Sequence, residues 1–148
     1  MPIPELNEHG LLPEGMYDGT LEEIGARFGR FQTTDRCVQS FAKLCDLVDE
    51  ERRAGLAIAL LIDGSFVSSK PDPGDIDLVI VLPDGYNFAA ELPPMAYNAI
   101  SKRCLRRVYQ FDVFVVENHS VEYIERVAFF CQDSRQVNAR KGILKAQL

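Results

Sequence analysis

The chain has 148 residues, 47% hydrophobic and 26% charged, with a net charge of -6. That length suits one domain with a real core, and the acidic balance excludes a chain that attracts polyanions over its whole surface. Four cysteines are scattered without a CxxC pair and there are two histidines, so neither a zinc site nor a disulfide framework is expected.

The pattern predicts these elements in chain order. Residues 1–19 carry four of the early breakers as Pro2, Pro4, Gly10 and Pro13, and read as an irregular arm with no basic, apolar leader. Thr20 and Glu23 form a capping-box pattern that opens a short helix ending at Gly29. Thr34 or Asp35 caps a longer helix with Val38, Phe41, Leu44, Cys45 and Val48 at helical spacing, stopped by Gly55. Residues 56–62 are continuously apolar and read as a strand buried on both faces.

A polar loop with Pro71 and Pro73 leads to a second apolar strand at 76–82, which antiparallel or mixed pairing with the first would suit. Pro93 and Pro94 introduce a helix to about residue 108, followed by a strand at 109–116. Ser120 caps a helix to about residue 132 whose inner stripe is Ile124, Val127, Ala128 and Cys131. The tail at 141–148 reads as a short edge strand. The expectation is an α+β domain: a small mixed sheet with helices packed on it. No apolar run approaches a membrane span, so a cytoplasmic protein with buried free thiols is expected.

The chemistry concentrates in acids that enter apolar strands. Asp75 and Asp77 are two residues apart and share a strand face, where two carboxylates repel unless a cation lies between them. Mg²⁺ prefers such oxygen ligands. Asp112 is a lone carboxylate in the apolar run from Phe111 to Val116 and must be neutralised or exposed. Beside a strand bearing Asp75 and Asp77 it would complete a three-acid set able to hold two divalent ions. Gly64-Ser65 precedes the loop, where glycine lets backbone approach phosphate. Asp63 is a fourth acid, for which a turn role is the simpler expectation.

Lys102, Arg103, Arg106 and Arg107 recur at helical spacing, either facing phosphate or forming a solvated face. Lys70 in the loop either reaches a phosphate or is an exposed loop lysine, and Arg135, Arg140 and Lys141 form a late basic cluster that could line the cleft. His9 and His119 are isolated and take no role.

Gly64-Ser65, the spacer 66–74, Asp75-Ile76-Asp77 and the apolar-flanked Asp112 together resemble the nucleotidyltransferase superfamily of DNA polymerase beta, in particular its minimal prokaryotic branch. The resemblance covers roughly residues 56–116 and implies a nucleotidyltransferase-like fold. It implies a catalytic and metal-binding set of Asp75, Asp77 and Asp112, with Asp112 also the base. Nucleotide contacts would come from Gly64, Ser65 and Lys70. The implied cofactor is Mg²⁺ as two ions, or Mn²⁺, with ATP or another NTP as substrate and a protein or RNA hydroxyl as acceptor. The second reading is a catalytically weak or inactive interaction module of the same fold, such as a toxin–antitoxin component, acting with a protein partner or as a homodimer.

Overall fold

The computed structural model describes residues 3–30, 35–69, 76–132 and 140–148. Its elements run β1 (Gly15–Asp18), α1 (Leu21–Phe28), α2 (Arg36–Ala54), β2 (Ala59–Asp63), β3 (Asp77–Leu82), α3 (Pro94–Ile100), α4 (Lys102–Tyr109), β4 (Asp112–Glu117), α5 (Val121–Phe130) and β5 (Gly142–Gln147). Together they form a small α+β domain on a mixed five-stranded sheet in the order β1-β5-β2-β3-β4. β2 is antiparallel to both β3 and β5, whereas β3–β4 and β1–β5 are parallel.

The alternation of a strand sorts the apolar side chains between two cores. Leu60, Ile62, Leu78, Ile80, Leu82, Val113 and Leu144 face a large core shared with Ile24 and Phe28 of α1, Leu44, Leu47 and Val48 of α2, and Leu105 of α4. Ala59, Leu61, Val79, Val81, Val116 and Ile143 face a smaller core under α5. β2 is therefore buried along its whole length, as its unbroken apolar run requires. The Thr20–Glu23 capping box forms, and Gly55 closes α2 in the left-handed conformation, at φ 68°.

Four expectations are corrected. The arm is not wholly irregular, because Gly15–Asp18 adds β1 to the sheet margin. The tail is not an edge strand: β5 lies between β1 and β2, with Ile143, Leu144 and Ala146 buried. The helix introduced by Pro93 and Pro94 is two helices. Ser101 adopts extended backbone between them, and its Oγ accepts from the Cys104 amide to cap α4. On α5 the sheet takes Tyr123, Val127, Phe130 and Cys131, while Ile124 is 61% exposed. That helix carries two apolar stripes, and the one with aromatic bulk buries more area. None of the four cysteines is in a disulfide, and Cys37 and Cys131 are buried. Burial pushes the Cys45 and Cys131 thiols up, as suits packing better than nucleophilic chemistry.

Glu51 of α2 is 1% exposed, and among the described residues neither carboxylate oxygen has a hydrogen-bond partner. Burial, and then the neighbouring charge of Glu50, push its carboxyl up to about 8. The folded state thus holds this proton more tightly than the unfolded chain. The stability it contributes is complete below the unfolded value and is lost as pH rises towards 8. Glu51→Met should raise the melting temperature, with a gain that widens from pH 5 to pH 8 at up to about 1.4 kcal/mol per pH unit. Thermal unfolding of both proteins across that range checks this; parallel curves would contradict it.

Candidate functional site

The last residue of β2 and the first residues of β3 and β4 are all aspartates. Asp63 is the register partner of Asp77, and Asp77 of Asp112. Register partners project from the same face. Here it is the face of Leu61, Val79 and Phe114 (two residues along from Asp63, Asp77 and Asp112), which carries the smaller core. With neighbouring strands about 4.8 Å apart, the three carboxylates form a row across one end of the sheet. The apolar strands permit this only at their ends, where charge reaches solvent: Asp112 is exposed and Asp77 half-buried.

Cations bracket the row. Lys141 Nζ lies 2.9 Å from Asp63 Oδ1, with the two side chains 16% and 6% exposed. The Lys141 amide donates to the Cys131 carbonyl and the Gly142 amide to the Leu12 carbonyl, which fixes the lysine just before β5. At the other end Arg106 Nη2 of α4 lies 2.9 Å from Asp112 Oδ1. Asp77 stands between the two paired acids. The expected turn role of Asp63 is replaced by this strand-end ion pair.

Gly64-Ser65 follows Asp63 directly and so lies at the same sheet end, on the β2 side of Asp77. Gly64 has φ 93°, a left-handed conformation open to glycine. The Val67 amide donates to the Gly64 carbonyl and Ser68 Oγ to the Ser65 carbonyl, closing a turn. Phe66 and Val67 anchor that turn in the large core, with Phe66 6.1 Å from Phe28. The N-terminal arm clamps it from outside through the Leu11–Ser68 bridge and the Ser69 amide on the Gly10 carbonyl.

Four of the sequence-identified positions, Asp77, Asp112, Gly64 and Ser65, therefore meet at one end of the sheet. Asp75 and Lys70 lie outside the described residues. Among the described residues, no group of three or more His, Cys, Asp or Glu side chains is placed to hold a metal ion. Asp77 and Asp112 offer an in-register carboxylate pair, a donor set of the right chemistry for a hard divalent cation.

Lys102, Arg103 and Arg106 line a cavity of about 310 Å³ together with Asp112, Val113 and Phe114. The sequence did not single out the Lys141–Asp63 pair. Its only trace was an acid closing an apolar run and a lysine far along the chain. Arg140 turns to Glu14, and Arg135 lies outside the described residues. His119 sits at the opposite end of β4 beside Asp84, and His9 pairs with the exposed Glu8.

Among the described residues no helix is long and apolar enough to cross a membrane. No curated protein and no solved structure matches the sequence. Residues 4–147 match the model of a family of unknown function, DUF6932, and the chain belongs to that family.

Proposed function

We propose that the protein is a Mg²⁺-dependent nucleotidyltransferase that moves NMP from an NTP to a hydroxyl of a macromolecular acceptor. The observation that carries this reading is the direct pairing of Asp77 with Asp112 beside Gly64-Ser65. Two carboxylates in register on one face, beside a glycine turn, would suit a cation and a phosphate, and core packing gives no reason for them.

Asp77 and Asp112 would hold the ion, together with Asp75 by the resemblance. When bound, Mg²⁺ supplies Lewis acidity and charge neutralisation to the phosphate oxygens. The turn at Gly64-Ser65 would receive the triphosphate through backbone amide and hydroxyl donors. Asp112 would take the proton of the acceptor hydroxyl as its oxygen bonds to the α-phosphorus and the bond to pyrophosphate breaks. Catalysis of this kind is largely positioning and electrostatics.

The test is incubation of the purified protein with labelled NTPs, Mg²⁺ and cell extract, read as label on a macromolecule with matching pyrophosphate release. Absence of both, together with no NTP binding under any divalent metal, would refute the assignment. The inactive interaction module draws support from one observation, the Arg106–Asp112 ion pair, which already engages one of the two acids. That reading predicts no labelling and NTP affinity indifferent to Mg²⁺.

A further inference from the structure

We infer that the basic cavity beside β4 is the acceptor site, and that the acceptor it fits is a single-stranded RNA. The orientation rests on the nucleotidyltransferase reading. In an in-line displacement the attacking and leaving oxygens lie on opposite sides of the phosphorus. Across the sheet end the order is Gly64-Ser65 after β2, then Asp77 on β3, then Asp112 on β4. If the triphosphate faces Gly64-Ser65, the attacking hydroxyl arrives from the β4 side. There the strand wall of the cavity is Asp112, Val113 and Phe114, and its helix wall is Lys102, Arg103 and Arg106.

Charge and aromatic rings favour a polynucleotide. Three cations face one carboxylate in this cavity, and the three side chains are exposed on α4. A second cavity of about 440 Å³ shares Lys102 and Phe114 with it and continues along β4 to Arg126 and Phe129 of α5. Lys102 Nζ and Arg126 Cζ lie over the Phe114 ring at 4.8 and 3.8 Å, which fixes both cations along the trough. Phe129 is 60% exposed and offers a stacking surface.

Glu122 and Glu125 lie on the α5 side of the second cavity, across from Lys102 of α4. A strand with phosphates along α4 and bases against α5 satisfies both walls. Its phosphates meet Lys102 and Arg103, its bases stack on Phe129, and exocyclic amines donate to the glutamates. An acidic peptide would satisfy the first wall and be repelled at the second. Arg106 couples the two sites: drawn to an acceptor phosphate, it leaves Asp112 free to accept the proton.

The test is fluorescence anisotropy of a labelled oligoadenylate RNA of about 12 nucleotides, in EDTA and without NTP, so that catalysis plays no part. Wild type should bind with salt-sensitive affinity. Lys102→Glu/Arg103→Glu should lose at least about tenfold and show a shallower salt dependence. Phe129→Ala should weaken binding by a smaller factor at unchanged salt dependence. A poly-glutamate peptide of equal length should compete poorly; equal competition would overturn the RNA assignment. No RNA binding by wild type, or unchanged binding by the double variant, would overturn the acceptor site itself. Mg²⁺-dependent binding of a fluorescent ATP analogue, measured in parallel, reports separately on the nucleotidyltransferase reading. The double variant should retain it.

Discussion

Asp77→Asn should lower nucleotidyl transfer by about 10³-fold or more, the several kcal/mol expected of a metal-binding carboxylate. In EDTA the same variant should be as stable as wild type or slightly more so. Asp77 lies directly opposite Asp112 and beside Asp63, and like charges in register destabilise a strand pair by up to about 1 kcal/mol. Asparagine keeps the shape and hydrogen-bonding oxygen of the side chain while removing its charge. Pyrophosphate release, Mn²⁺ affinity and melting in EDTA together separate the roles. Lost activity with lost Mn²⁺ affinity and an unchanged melting temperature is the expected set. A fall in metal-free melting temperature of more than about 5 °C would make Asp77 a structural residue instead.

Lys141→Met should be the more damaging change to stability, by about 3 kcal/mol, or on the order of 10 °C in melting temperature. Lys141 is the cation against a carboxylate that is 4% exposed, and its removal leaves that charge buried. The bridge itself need not stabilise the fold greatly relative to an apolar pair, since desolvation offsets much of its attraction. The loss comes from the buried acid deprived of its lysine. Lys141→Met/Asp63→Asn should therefore recover most of it, and the double-mutant cycle should show strong coupling. Equal losses in single and double variants would mean that Lys141 acts through its packed stem and not its charge. The bridge also matters for the site. It neutralises Asp63 and so leaves Asp77 next to one uncompensated acid fewer.

Much of this arrangement was legible in local pattern. The unbroken apolar runs gave β2 and β3, and the short loop between them required antiparallel or mixed neighbours. Thr20, Glu23 and Gly55 marked helix ends because each satisfies or terminates backbone hydrogen bonding locally. Asp77 and Asp112 stood out because a carboxylate in an apolar strand needs a physical reason.

What stayed hidden depends on pairing between distant segments. β1 is four residues long and includes a glycine, and it is a strand because β5, from the other end of the chain, lies beside it. The interior place of β5, between β1 and β2, follows from Ile143, Leu144 and Ala146 filling both cores, which eight residues of sequence do not announce. The break at Ser101 needed the extended backbone that its cap requires, in a stretch that otherwise reads as one helix. The direct register of Asp77 with Asp112 is likewise a property of the β3–β4 ladder and not of either strand. The partners that neutralise the outer acids, Lys141 and Arg106, come from a chain end and a helix flank.

The most direct test of the central claim is a crystal structure of the protein with a non-hydrolysable NTP and Mg²⁺. The expected result is a cation in contact with both Asp77 and Asp112, phosphates against Gly64-Ser65, and Arg106 withdrawn from Asp112. Nucleotide bound elsewhere, or absent at saturating concentration with Arg106 still on Asp112, would contradict it.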